Sequence, residues 1–500
     1  MSTPTPSDPA RRRHRLWWLW LALMAGLGAY AAWALSTHQR ADEPLAMPLR
    51  VALLPGQTTH AHHQIEMACA SCHGDAFGQG PVLQNACINC HGKALEEAND
   101  KHPARKFEDP RNAFRLEKID ALQCVTCHAE HKPQMTLAMG VTQPKDFCFH
   151  CHAGPEEMPP SHKDFDFEGC TDCHNYHDNR ALYEDFLLKH ASDPAIKATA
   201  AVPGLDNLVE ALQGLSSYPA ERFPFEPLSP TQADAPTDWA QGALAKAHAG
   251  ALDTSHARAG VNCSACHLAP PPEGQLDAQA LARWSADSQH WIRKPSMPQA
   301  CVACHADEVK GFTQGLHGMR QLVGLDAMRV GDARLPMKAS AGHQALSCVS
   351  CHGSHEFNTG IKASVDACMT CHNDQHTRSF KDSPHFALMR KELAGELPAG
   401  SGVTCATCHM PRERFEGEFS SRIGVQHNQS ATMRPFSKMA RPVCMSCHGL
   451  GFSLDALSDP ALVARNFTGQ PAAVHKSIQM AVDKDIAFRE RRAAEQPNAP

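Results

Sequence analysis

The pattern Cys-x-x-Cys-His occurs eleven times in this 500-residue chain, and the copies take up all 22 cysteines. They are Cys69/Cys72/His73, Cys87/Cys90/His91, Cys124/Cys127/His128, Cys148/Cys151/His152, Cys170/Cys173/His174 and Cys263/Cys266/His267. The others are Cys301/Cys304/His305, Cys348/Cys351/His352, Cys368/Cys371/His372, Cys405/Cys408/His409 and Cys444/Cys447/His448. This spacing is the attachment signal of c-type haem. Two thiols add to the two vinyl groups of one porphyrin, and the next residue is held under the iron as its proximal ligand. Other uses of Cys-x-x-Cys fit less well. Zinc half-sites pair up, and eleven is odd. A dithiol oxidoreductase needs one copy on a βαβ unit. A disulfide framework would not place His after every second cysteine. The motifs predict eleven covalently attached haem c groups. Their proximal metal ligands are His73, His91, His128, His152, His174, His267, His305, His352, His372, His409 and His448.

The N-terminus predicts a membrane segment. Arg11, Arg12, Arg13 and Arg15 form a basic stretch within 1–15, followed by an uncharged run from Leu16 to Leu35 that contains Trp17, Trp18, Trp20 and Trp33. Its 20 residues suit a spanning helix at about 1.5 Å per residue. The basic cluster holds that end in the cytoplasm, and tryptophans at both ends suit interfacial anchoring. Ala-Tyr-Ala and Ala-Trp-Ala near the end of the run also allow a cleaved signal peptide. Either way the remainder is exported. The expected location is the inner membrane, by a single N-terminal anchor, with haem domains in the periplasm. A net charge of −6 gives no reason to expect nucleic acid.

The motifs fall into two groups, Cys69 to His174 and Cys263 to His448, separated by a gap of 88 residues rich in proline. This predicts a pentahaem domain over 36–195, a Pro-rich linker over 196–245, a hexahaem domain over 246–450, and a C-terminal helix and tail over 451–500. The stretch from Ala181 to Ala191 has helical spacing, and Asp238 is placed to cap a helix from Trp239 to Ala249. Further helices are expected from Leu454 to Asn466, interrupted at Pro460, and from Ala472 to Arg492, with a disordered end from Ala493 to Pro500. No run of alternating β-type residues stands out. The fold class expected is mainly α with extensive loops: a haem-packed multihaem cytochrome c with two haem domains after one transmembrane helix. With 6% aromatic residues the chain has little side-chain core of its own, so porphyrins must supply apolar surface.

Function turns on the sixth iron ligand, because an iron with two protein ligands carries electrons and an open one can bind substrate. Of the 32 histidines, eleven are proximal, and His14 and His38 flank the apolar run. The candidates in the first half are His60, His62, His63, His102, His131, His150, His162, His177 and His190. Those in the second are His248, His256, His290, His317, His343, His355, His376, His385 and His427, and His475 is extra. Supply exceeds demand in both halves. The favoured distal candidates are His60, His63, His102, His131, His162, His177, His190, His256, His317, His343, His355, His376, His385 and His427. His131, His177 and His355 follow a motif His by three residues, and His376 by four. Such a residue lies on the proximal side of its own haem and is expected to ligate a neighbour.

The second half resembles the multihaem cytochromes related to hydroxylamine oxidoreductase and pentahaem nitrite reductase. The resemblance rests on Gly402-Val-Thr-Cys405-Ala-Thr-Cys408-His409-Met410-Pro411 with His427-Asn428 downstream, on Arg441-Pro-Val-Cys444-Met-Ser-Cys447-His448-Gly449, and on Ser383-Pro384-His385 as a distal-ligand position. The first half looks like a pentahaem module of the cytochrome c3/c7 type. The resemblance implies either an enzyme or an electron carrier. Hydroxylamine oxidoreductase cross-links its catalytic haem to a tyrosine, whereas Tyr30, Tyr176, Tyr183 and Tyr218 all precede the second half. The nitrite reductases replace one motif His by Lys, whereas every motif here ends in His.

Three readings stand. The first is a membrane-anchored periplasmic undecahaem cytochrome passing electrons along mostly bis-His haems to redox protein partners in respiration. The second is a reductase or oxidase of a small nitrogen or sulfur compound (nitrite, hydroxylamine or tetrathionate class) with one open haem in the second half. Arg320, Lys338, Arg412 and His427 are its candidate pocket residues. The third is a subunit of a quinol-oxidising membrane complex.

Overall fold

One long helix, α1 (Pro9–Ser36), carries the apolar run in the computed structural model of the chain. The structure describes residues 9–36, 44–74, 81–98, 102–144, 147–152, 170, 174–178, 234–241, 250–271, 278–342, 345–416, 421–433 and 435–495. The segment Arg13–Ala34 of α1 is long and apolar enough to cross a membrane, and a signal sequence would meet the same test. Its side chains face outward, with Trp17, Trp18 and Leu19 well exposed. At its far end the Tyr30 hydroxyl donates to the Leu45 carbonyl at 2.8 Å, and Ala34 and Ala46 are buried.

Cα proximity divides the chain into two units. One comprises Met1–Glu157, Asp166–Asp178 and Arg320–Asp326, and the other Met158–Phe165, Asn179–Met319 and Ala327–Pro500. The repeated element in both is a single helical turn over the motif. The amide of the motif His donates to the carbonyl of the first Cys at 2.9 Å in His73, His128, His152, His267 and His305, and at 2.8 Å in His174 and His448. Four residues of α-helix return the chain to the same face, so the turn carries the first thiol and the imidazole together. The second motif lies inside α2 (Pro81–Glu97).

Polar side chains start several of the helices in the second unit. After α3 (Ala306–Gln314) and α4 (Ala363–Cys371), the Ser383 hydroxyl accepts from the Phe386 amide at 3.2 Å at the head of α5 (Pro384–Leu393). Pro384 is at the first helical position, so Ser-Pro-His reads as cap, first turn and His385. Thr404 and Thr407 form a reciprocal cap over the helix Cys405–His409. Asp459 caps α7 (Pro460–Ala464), which follows α6 (Leu450–Ser458). The expected break at Pro460 is therefore a cap between two helices. α8 (Lys476–Glu495) runs through Ala493 to Glu495, which the sequence reading assigned to a disordered end. The helix expected from Ala181 to Ala191, residues 242–249 of the one expected from Trp239 to Ala249, and most of the linker lie outside the described residues. Thr237–Ala240 forms one 3-10 turn.

Side-chain cores are small. One cluster joins Ala440, Leu450, Leu454, Ile478 and Ala481, which docks α8 on α6. Another joins Val365, Phe380 and Met389, between α4 and α5.

The sequence predicts no strand, but β1 (Arg412–Glu416) and β2 (Ser421–Val425) form an antiparallel hairpin with Phe415 opposite Arg422. Its residues are largely charged, which hid it from a search for apolar alternation. The Arg422 guanidinium lies over the Phe415 ring, 4.8 Å from its centroid. It donates to Glu308 at 2.8 and 3.0 Å and to Asp307 at 2.9 Å, on the first turn of α3. Arg422 and Glu308 are largely buried, so Arg422→Ala strands a carboxylate. A fully buried pair broken this way costs about 3–5 kcal/mol, and partial exposure here puts the expected loss at about 2 kcal/mol. Thermal unfolding followed by circular dichroism checks this; an unchanged midpoint would mean that the fork adds no stability.

Candidate functional site: facing imidazoles

Each motif turn presents an imidazole, and segments distant in sequence bring a second one to face it. In the first unit His62 faces His91 at a ring-centroid distance of 5.9 Å, His102 faces His152 at 6.0 Å, and His177 faces His128 at 6.4 Å. In the second unit the pairs are His355 with His267 at 5.7 Å, His256 with His305 at 5.9 Å, and His427 with His352 at 6.2 Å. His317 faces His372 at 6.0 Å, His376 faces His409 at 6.2 Å, and His385 faces His448 at 6.3 Å. All six motif histidines of that unit are matched. Two imidazoles sharing one metal through Nε2, at bonds of about 2 Å, have ring centroids about 6 Å apart. The spacing thus fits a bis-imidazole iron between each pair.

Hydrogen bonds orient the rings. The Nδ1–H of His102 donates to the Tyr176 carbonyl at 2.9 Å, that of His267 to Ile292 at 2.8 Å, that of His376 to Val463 at 2.5 Å and that of His427 to Val425 at 2.8 Å. A proton on Nδ1 leaves the Nε2 lone pair for a metal. In one pair the Asn466 amide also lies 3.2 Å from Nε2 of His376. His62 is the exception in kind, because its partner is a carboxylate, Glu130, at 2.6 Å. Burial, reinforced by the facing imidazole, pulls His317, His385 and His409 down to about 4. They are therefore neutral at neutral pH, the form in which an imidazole can bind a metal.

The remaining candidates sit differently. His63 donates through Nδ1 to the His60 carbonyl at 2.7 Å, has the Gln64 amide 2.8 Å from Nε2, and stacks on His60 at 5.4 Å. Thus His62, which was outside the favoured set, is the member of the 60–63 group that faces a motif imidazole. His131 donates to the Gly56 carbonyl at 2.8 Å. His131 and His355 have φ of 59° and 56°, a left-handed turn that takes each ring away from its own motif. His290 stacks on Trp284 at 3.3 Å, and Nδ1 of His475 accepts from the Ser477 amide at 3.2 Å. His150 is exposed. Cys173, His162, His190, His248 and His343 lie outside the described residues. Among the described residues no imidazole is placed opposite His73. The proposed anion-pocket residues are each engaged locally: Lys338 donates to Met369 and Arg320 to Asp326, and His427 belongs to a facing pair. Arg412 lies on β1.

The cysteines order the motifs. First cysteines of successive motifs lie side by side in the pairs Cys87 with Cys124, Cys148 with Cys170, Cys301 with Cys348 and Cys368 with Cys405. Between these pairs, Cys72 feels Cys90, Cys148 feels Cys127, Cys266 feels Cys301, Cys351 feels Cys368 and Cys408 feels Cys444. Each unit is thus a row of motifs in sequence order.

The second cysteines of the motifs are placed in different ways. Cys151 is half-buried, and its backbone carbonyl accepts from the Arg115 guanidinium at 3.3 Å. Cys304 is exposed and lies beside Cys266 of the preceding motif. The reason lies in the turn. The second thiol of a motif sits three residues on from the first, about 300° around the helix, so it need not face the neighbour that the first one meets. Both residues nevertheless keep the motif geometry, with the Cys151 amide donating to the Cys148 carbonyl and the Cys304 amide to the Cys301 carbonyl, each at 3.2 Å. The turn that would offer two thiols to one porphyrin is therefore intact at both.

Burial pushes the thiols of Cys351 up to about 11 and of Cys408 and Cys444 up to about 12, the reverse of a reactive dithiol. The described cysteines form no disulfide, and no three His, Cys, Asp or Glu side chains among the described residues gather as a metal site.

Residues 61–153, which span the first four motifs, match the family model of cytochrome c3. No curated protein and no solved structure matches the chain. Haem-attachment turns along the chain, imidazoles facing one another at iron-ligation spacing and a segment that matches the cytochrome c3 model together support a multihaem c-type cytochrome of electron transfer.

Proposed function

We propose that the protein is a membrane-anchored periplasmic cytochrome that holds eleven haem c groups, mostly between two histidines, and passes electrons between redox partners in respiration. Bound haem supplies one-electron iron chemistry. The chain's own residues attach it through cysteine pairs, supply both axial imidazoles and set their tautomers through backbone carbonyls. The observation that carries the reading is the full set of six facing pairs in the second unit, where an open site would have been needed for substrate chemistry. The order of cysteine contacts supports a continuous row within each unit. α1 supports a place at the inner membrane, with a quinol-oxidising complex as the donor and a soluble or outer-membrane acceptor. The second half keeps its resemblance to the hydroxylamine oxidoreductase and nitrite reductase group as a scaffold for carrying electrons.

The test is an EPR spectrum of the purified ferric protein with haem count and spin quantification. We expect eleven haems per chain with the six of the second unit low-spin and unmoved by nitrite or hydroxylamine. One high-spin haem per chain that shifts on adding either compound, assigned to the second unit by its variants, would replace the carrier reading with the enzymatic one.

A further inference from the structure

We propose that Glu130 is a positioning residue that lowers the reduction potential of the haem held by His62 and His91. This rests on the reading that those two histidines ligate one iron. Glu130 lies two residues beyond the motif histidine His128, yet its carboxylate reaches back across the unit to a different motif's pair. Its Oε1 accepts from Nδ1 of His62 at 2.6 Å and from the Thr59 hydroxyl at 3.0 Å, and its Oε2 accepts from the Thr59 amide at 2.8 Å. Three donors on one carboxylate fix it in place, and the His62 and Glu130 side chains are only 32% and 26% exposed. A carboxyl group that accepts three hydrogen bonds and donates none is in its ionised form.

Among the described residues, other rings in this unit present a different partner through Nδ1. His63 donates to His60, His102 to Tyr176, His128 to Gly140 and His131 to Gly56, all backbone carbonyls. Among the described residues of the second unit, Glu308 lies 3.9 Å from Nδ1 of His305 and Asp374 4.0 Å from that of His372, both beyond hydrogen-bond length. A carboxylate on Nδ1 draws the proton toward itself and makes Nε2 a stronger donor. A stronger donor beside a fixed negative charge stabilises ferric over ferrous iron. The redox change is Fe(III) plus one electron giving Fe(II), with the electron from the donor of the proposed pathway and the Nδ1 proton remaining on His62. Relative to an uncharged partner, Glu130 shifts electron occupancy from the second motif toward its neighbours.

The experiment uses the haem-loaded full chain with Glu130→Gln, an isosteric neutral acceptor, and with His62→Ala. Spectropotentiometric titration of E130Q should move one of the one-electron waves upward by at least about tenfold in its equilibrium constant, about 59 mV for one electron. The haem count and the other waves should be unchanged, and one low-spin EPR signal should change its g-values. His62→Ala should give one high-spin haem. A downward shift, no shift, or movement of all waves with haem loss in E130Q would overturn the role of Glu130 while His62→Ala still reports one opened haem. An entirely low-spin His62→Ala protein would instead overturn the ligation reading on which the role depends.

Discussion

Replacing His427 by alanine is expected to convert one haem per chain from low-spin to high-spin and leave the others low-spin. The reason is geometric. His427 sits just past the end of β2, where its Nδ1–H is held by the Val425 carbonyl and its ring faces His352 at 6.2 Å. β2 is in turn held on α3 by the Arg422 fork. No other imidazole among the described residues is placed to take over at His352. The opened iron should bind added cyanide or imidazole, and its potential should rise with the loss of a donor. His475→Ala is the matched control. Its Nδ1 accepts a backbone amide and its ring packs on Phe436, so it should change no spin state. EPR spin quantification of both variants decides the matter. A fully low-spin His427→Ala protein would remove His427 from the axial set.

The second large effect concerns folding. Produced without haem attachment, the chain should fail to form a compact state. Its clusters of buried apolar side chains are a few residues each, and several of the motif turns are only four or five residues long. Helical turns of that length do not persist alone in water, because nucleation costs more than one turn returns. With the attachment motifs intact but no haem supplied, far-UV circular dichroism should show most helical signal outside α1 lost, and limited proteolysis should cut throughout both units within minutes. A compact, protease-resistant apoprotein would contradict the view that the porphyrins form the core. Loss should also be graded by place. α6 and α8, which share the cluster of Leu450, Leu454 and Ile478, should outlast the motif turns of the first unit.

The attachment chemistry was legible in the sequence because it is local. Five consecutive residues make one helical turn, and that turn alone brings two thiols and an imidazole within reach of one porphyrin. The start of α5 was legible for the same reason, since Ser383, Pro384 and His385 act within a single turn. Which imidazole faces each motif was not, because that depends on segments that meet only in the folded chain. Spacing offered His60 and His63 as readily as His62, and the difference lies in Glu130, 68 residues away, which holds His62 at 2.6 Å. The Nδ1 partner of His376 is Val463, 87 residues away. The hairpin escaped notice because its strands are held by charge: Arg422 bridges 114 residues to Glu308, and no apolar alternation marks the segment. Sequence alone thus determined how many attachment motifs the chain carries and at which residues. Tertiary structure decided which imidazoles face each other and in what order the motifs touch, because these depend on close approach of distant backbone segments rather than on any local repeat.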